Sequence, residues 1–149
     1  MRRRFLLASA ALFLFPAVLL AQAGKDKETT ANRSAFASSP AYSEILLKRT
    51  ELESEIESLL LDYTEEHPKL KETRFALAQL ENEIKRLNAF KPSDPARYTL
   101  ALGKLVVKKV EVETELWTLR QQYKEDYPEV KRAKKKAEIF ERAIRDILG

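Results

Sequence analysis

Residues 46–88 and 106–148 align at a constant offset of 60 with no gap. The pairs Lys48/Lys108, Glu51/Glu111, Glu53/Glu113, Glu55/Glu115, Leu59/Leu119, Tyr63/Tyr123, Glu65/Glu125, Pro68/Pro128, Lys71/Lys131, Glu81/Glu141 and Ile84/Ile144 are identical. Glu and Lys match easily between charged helices. A Tyr and a Pro matching at one offset are harder to obtain by chance. The reading is a duplicated unit, so the chain must be a tandem of two similar pieces.

Each unit carries a period of seven. In the first, Leu52 and Leu59 are seven apart with Ile56 between them, and Leu77 and Ile84 are seven apart with Leu80 between them. In the second the counterparts are Val112, Leu116, Leu119, Ala137, Phe140 and Ile144. Two apolar positions per seven residues form a helical seam. Leu46, Leu47, Leu60, Leu61, Val106 and Val107 widen the stripe beyond what one partner helix covers, which favours a bundle or an oligomer. These stripes are the expected packing or partner surface.

Proline divides each unit. Pro68 and Pro128 lack an amide hydrogen and clash with a preceding helical turn, so each is expected at the first position of a new helix. His67 and Tyr127 before them are pushed out of the helical region. Tyr63, His67, Pro68, Tyr123, Tyr127 and Pro128 therefore mark two hairpin turns, against the alternative of one long kinked helix. Tyr63 and Tyr123 fall on seam positions and are expected to pack in the core. Lys91-Pro92-Ser93-Asp94-Pro95 is a stop and restart, with Asp94 as cap and Pro95 opening the third helix. The expected helices are 41–65, 68–89, 95–126 and 128–148. The fold class is all-α: two tandem antiparallel helical hairpins, as coiled coil or four-helix bundle. In an up-down-up-down arrangement both tips lie at one end.

Ahead of the repeats, Arg2-Arg3-Arg4 precedes an uncharged run from Phe5, and Ala21-Gln22-Ala23 follows. That is the layout of a signal peptide cleaved after Ala23; the alternative is an uncleaved anchor facing the periplasm. Residues 24–40, polar and without apolar period, read as a disordered linker. The domain plan is 1–23, 24–40, hairpin 1 at 41–90, a connector at 91–95 and hairpin 2 at 96–149.

Composition now excludes several functions. The chain has no Cys and one His. Disulfides, thiolate metal sites, cysteine nucleophiles and a lipoprotein anchor are out, as is a zinc site of several histidines. The net charge is +4, and three of those charges are the N-terminal arginines. A retained basic surface for nucleic acid is therefore not expected. His67 has no nucleophile or second ligand at a telling spacing, so it is expected to shape its turn. No catalytic, cofactor or metal site is expected. Glu51, Glu55, Glu111 and Glu115 read as solvated faces, and Trp117 as either core edge or partner contact.

Residues 59–84, with Tyr63-Thr64, His67-Pro68, Leu70, Leu80 and Glu81, resemble the periplasmic coiled-coil segment of bacterial polysaccharide co-polymerases, the chain-length determinant family. The second copy keeps Tyr123, Pro128, Val130 and Ile139 but has Tyr127 in place of the histidine. The resemblance covers about 30 residues per copy and implies a helical-hairpin module and an envelope setting. The family's membrane-proximal α/β domain, second transmembrane helix, proline-rich membrane motif and kinase have no counterpart here, so polymer-length control is not implied.

One asymmetry separates the copies. Residues 117–136 hold seven basic and three acidic side chains, and residues 57–76 hold three basic and five acidic. Lys131, Arg132, Lys134, Lys135 and Lys136 are the candidate electrostatic contact. Tips of opposite sign would attract; an anionic polysaccharide or lipid head group is the rival ligand, and a solvated face the plain reading. The expected partner is a protein or a second copy, meeting the stripes. The expected function is an exported, non-enzymatic interaction scaffold. Its alternative is a periplasmic chaperone or carrier gripping apolar clients between the hairpins.

Overall fold

The computed structural model describes residues 35–90 and 93–149. The expected signal peptide, most of the expected linker, and Lys91 and Pro92 of the connector lie outside the described residues. Four α-helices follow in order: α1 (Pro40–Asp62), α2 (Pro68–Ala89), α3 (Leu100–Gln122) and α4 (Pro128–Leu148), with a 3-10 turn at Pro95–Arg97. The fold is all-helical among the described residues: two antiparallel hairpins packed side by side.

Proline sets the starts. Pro40, Pro68 and Pro128 each open a helix, where the missing amide would have had no partner anyway. The Ser39 hydroxyl accepts from the Tyr42 amide at 3.2 Å, and His67 Nδ1 accepts from the Lys69 amide at 3.3 Å, so orphan donors of both first turns are met.

Three boundaries differ from the sequence expectation. The first and third helices end at Asp62 and Gln122, because Tyr63 and Tyr123 take extended backbone. The third helix starts at Leu100 rather than Pro95. Asp94 Oδ1 accepts from the Ala96 amide at 2.8 Å, but it opens only the 3-10 turn; Thr99 is the cap of α3. The linker expected over 24–40 also stops short of residue 40. Phe36 is fully buried, edge-on to Tyr42 and Tyr98 with centroids 5.3 and 5.1 Å apart.

The central helix is α3, which packs against all three others. Glu83–Lys109 and Phe75–Trp117 place α2 antiparallel to it, and Ala41–Gly103 with Lys48–Glu111 places α1 parallel to it. Both hairpin tips thus lie at one end. The main core joins Ile45, Leu52, Leu80, Leu87, Leu102, Val106, Val110, Ile144 and Leu148 from all four helices. A smaller cluster of Leu116, Leu119, Val130 and Ala133 holds the second hairpin toward its tip. Each fully buried aliphatic side chain contributes roughly 1.5–3 kcal/mol.

The connector fastens the opposite end. The buried Tyr98 hydroxyl shares its one proton between the carbonyls of Leu87 and Phe90, 3.1 and 3.0 Å away. The Arg97 guanidinium donates to the carbonyls of Ile147 and Leu148, at 3.2 and 2.8 Å. Two adjacent side chains thereby satisfy terminal carbonyls of both α2 and α4. Gly103 lets α1 and α3 approach closely: a Cβ there would stand 2.7 Å from the Ala41 carbonyl oxygen.

Candidate interaction surfaces

The repeat is visible as geometry at the tips. Tyr63 and Tyr123 have φ/ψ of −130/155° and −129/153°, and His67 and Tyr127 have −62/130° and −62/138°. The amides of Tyr63 and Tyr123 donate to the carbonyls of Leu59 and Leu119 at 2.9 and 2.8 Å. The amides of His67 and Tyr127 donate to the carbonyls of Thr64 and Lys124 at 3.0 and 3.1 Å. Each tip is therefore the same turn, built twice.

That turn expels its tyrosine. The seam places Tyr63 and Tyr123 in the core, but their backbone has left the helix, and they are 47% and 40% exposed. Each instead stacks on the residue before proline: Tyr63 on His67 at 4.0 Å, Tyr123 on Tyr127 at 4.2 Å. The expected core packing of these two tyrosines is thus corrected. Both tips present a stacked aromatic pair to solvent, braced by ion pairs of Glu65 with Arg74, Glu66 with Lys71, and Glu125 with Arg120. Hydrogen bonding to Lys71 lowers the Glu66 pKa, and hydrogen bonding to Arg120 lowers that of Glu125. Pro68 and Pro128 are exposed beside them.

The basic candidates cover the outer side of α4. Lys131, Arg132, Lys134, Lys135 and Lys136 are all exposed. Arg132 pairs with Glu129, and Lys136 lies 3.7 Å from Glu115 of its own hairpin. Trp117 is half-buried and stacks on Phe75 of α2, centroids 5.0 Å apart, which makes it core edge.

The stripe residues are spent inside the chain. Leu52, Ile56, Leu80, Val112, Leu116 and Ile144 are buried, and Leu59, Leu77, Ile84, Leu119, Ala137 and Phe140 are partly buried. Leu46, Leu47, Leu60 and Leu61 remain exposed, whereas Val106 and Val107 are buried in the main core. Between the hairpins lies a cleft of about 480 Å³, lined by Leu52, Thr73, Ala76, Val110, Thr114 and Leu119 with Lys and Glu at its rim.

A charge network absent from the sequence reading ties three helices together. Lys109 of α3 reaches Glu83 of α2 at 2.6 Å and Glu141 of α4 at 2.8 Å. Arg86 joins the same two carboxylates, each at 2.7 Å. Burial works against the charge on Lys109, but hydrogen bonds to Glu141 and Glu83 outweigh it and raise its pKa. The only sequence signal was the repeat itself: Arg49–Glu81 at 3.8 Å is the same pair one period earlier.

Among the described residues no group of three or more His, Cys, Asp or Glu is arranged to hold a metal ion, and no helix is long and apolar enough to cross a membrane. Comparison with family models, with curated proteins and with solved structures finds no match for this chain.

Proposed function

We propose that the chain is an exported, non-enzymatic helical scaffold of the bacterial cell envelope, with the polysaccharide-export setting that its turn motif implies. The observation that carries this reading is the pair of tips. A body whose sevenfold seam residues are buried or half-buried in its own packing presents two identically built aromatic turns at one end. Exposed aromatic rings backed by fixed charge are the composition of contact surfaces. The basic outer side of α4 adds an electrostatic component suited to an acidic protein or an anionic polysaccharide. The N-terminal arginines, apolar run and Ala21-Gln22-Ala23 support export.

The test is site-specific photo-crosslinking in an exporting bacterial host, with the reactive group at Tyr63, Tyr123 or Tyr127. Discrete adducts at the tips, lost when the group sits at buried Leu80, are expected. Absence of adducts at all three tip positions contradicts the reading. Titration with a polyuronate decides the ligand class: binding that weakens in a Lys134→Glu/Lys135→Glu/Lys136→Glu variant assigns the basic side to polysaccharide.

The inter-hairpin cleft favours the second reading, a chaperone or carrier gripping apolar clients. It predicts native-state binding of a hydrophobic dye, blocked by filling the cleft with Ala76→Phe.

A further inference from the structure

The duplication gives the molecule a direction, and one end of that direction is uncovered. Within the chain, hairpin 1 lies on one side of α3, and the contacts are specific. Ala41 meets Gly103 at the close approach, Lys48 lies 3.7 Å from Glu111, and Phe75 stacks on Trp117 at 5.0 Å. The receiving side of α3 carries small or apolar uncharged residues: Gly103, Val107, Val110, Thr114 and Thr118.

One period earlier, α1 carries Ser43, Leu47, Thr50, Ser54 and Ser58 at the same positions. All five are exposed. A third of this chain is charged, yet this outward line on α1 holds no charge. A solvated helix face of such a chain would normally be charged. Leu46 and Leu47, 41% and 58% exposed, correspond to Val106 and Val107, which are buried.

We propose that this face of α1 receives hairpin 2 of a second copy, in the same way that α3 receives hairpin 1. The relation goes beyond the tip contacts above, because it uses the outer sides of the hairpins. Three of the internal contacts, moved by one period, specify the junction; Lys109–Glu83 has no counterpart there, because it becomes Arg49 against Ala143, and Arg86–Glu141 becomes Asp146 against Glu81, which keeps Arg49 of its own chain as partner. Ala41–Gly103 becomes Ala101 against Ser43, two small residues, with the Ser43 side chain holding the helices further apart than Gly103 does. Lys48–Glu111 becomes Lys108 against Glu51, the same charges. Phe75–Trp117 becomes Lys135 against Glu57, so an aromatic stack is replaced by an opposite-charge pair. Ala101, Lys108, Lys135, Glu51 and Glu57 are all exposed and free of burial by their own chain. Charge complementarity at Lys108–Glu51 and Lys135–Glu57 and the continuation of an existing interface point to the same occupant.

The two sides of this junction differ, so the contact is heterologous: copies add head to tail, into a ring if the rotation closes and a filament if it does not. Because α1 and α3 run parallel, successive copies would align their tips along one edge. A row of tips engages a repeating or multivalent partner with far greater avidity than one copy.

The chain's lack of cysteine makes the test clean. Ser43→Cys and Ala101→Cys are introduced singly into the full chain and oxidised mildly, apart and mixed. The close helix approach at the equivalent internal position puts such a pair within disulfide reach. The mixture should give a linked dimer at several times the yield of either variant alone, and the double variant a ladder. Lys108→Glu should reduce the ladder at low salt, and Glu51→Lys on the partner copy should restore it. Light scattering of the unsubstituted chain should show mass rising with concentration. A monomeric mass at every concentration overturns the proposal, and so does Ser43→Cys linking to itself as efficiently as the mixture. Tip crosslinking is scored independently, so a monomer that still gives tip adducts would sink this junction and leave the scaffold reading standing.

Discussion

Lys109 and Glu83 form an ion pair of 2.6 Å across 26 residues of sequence, and each is less than a tenth exposed. The pair joins the two hairpins, because Glu83 belongs to the first and Lys109 to the second. Glu141 and Arg86 close the circle. Removing one partner of such a buried pair strands the others, at a cost of about 3–5 kcal/mol. Lys109→Ala should therefore lower stability by about that amount in chemical denaturation. A loss under about 1 kcal/mol would mean that water, not Lys109, satisfies these carboxylates.

The same network predicts a pH dependence. Burial raises the pKa of Glu141, but Lys109 and Arg86 outweigh it and hold it below the usual 4.5. The folded state then releases this proton more readily than the unfolded chain does. Its contribution is full above the ordinary carboxylate value and is lost as pH falls through the lowered one. Glu113 has the opposite sign: burial raises its pKa despite Lys109 nearby, so its ionised form costs stability near neutrality. Melting temperature followed between about pH 3 and 7 should show a shallower acid limb in Glu141→Gln. Glu113→Gln should be neutral or stabilising at pH 7.

Gly103 tests the close packing of the hairpins. Alanine is the better helix former by about 1 kcal/mol. Here its Cβ would meet the Ala41 carbonyl oxygen at 2.7 Å and the Glu44 Cβ at 2.9 Å. Overpacking typically costs about 1–3 kcal/mol and should win. Gly103→Ala is expected to lower the melting temperature; a rise would show that the helices separate freely.

Tyr98→Phe isolates the clamp on α2. The ring packing on Phe36 survives, but the carbonyls of Leu87 and Phe90 lose their donor. The expected loss is about 1–3 kcal/mol. Amide hydrogen exchange should speed up in the last turn of α2 before it does elsewhere.

Two leucines separate interior from outer surface. Leu80 is fully buried and Leu61 is 86% exposed. Leu80→Asp should abolish cooperative unfolding, since an unpaired carboxylate cannot be accommodated there. Leu61→Asp should leave helicity and melting temperature near those of the parent.

The hairpins, their prolines and the duplication were legible because they are local or periodic. Pro68 and Pro128 fix helix starts by covalent geometry, and the sevenfold stripes follow from burial. What escaped depends on distant or unpatterned partners. Phe36 is a lone aromatic in a polar stretch, and its partner Tyr98 lies far along the chain. Arg97 and Tyr98 bind backbone carbonyls, which carry no residue signature. The seam period misplaces Tyr63 and Tyr123, because the backbone turns out of the helix after Asp62 and Gln122. Lys109 carries no local signature of burial; only the packing of α2 and α4 over it makes it an interior charge.

The central structural relation is that the two hairpins lie side by side with both tips at one end. Spin labels at Thr64→Cys and Lys124→Cys, diluted into unlabelled chain, measure that relation directly. A helix of 22 or 23 residues is about 34 Å long. A single narrow distance shorter than one such helix is expected. A separation near two helix lengths, or a broad distribution, would place the hairpins end to end or apart and would contradict that relation.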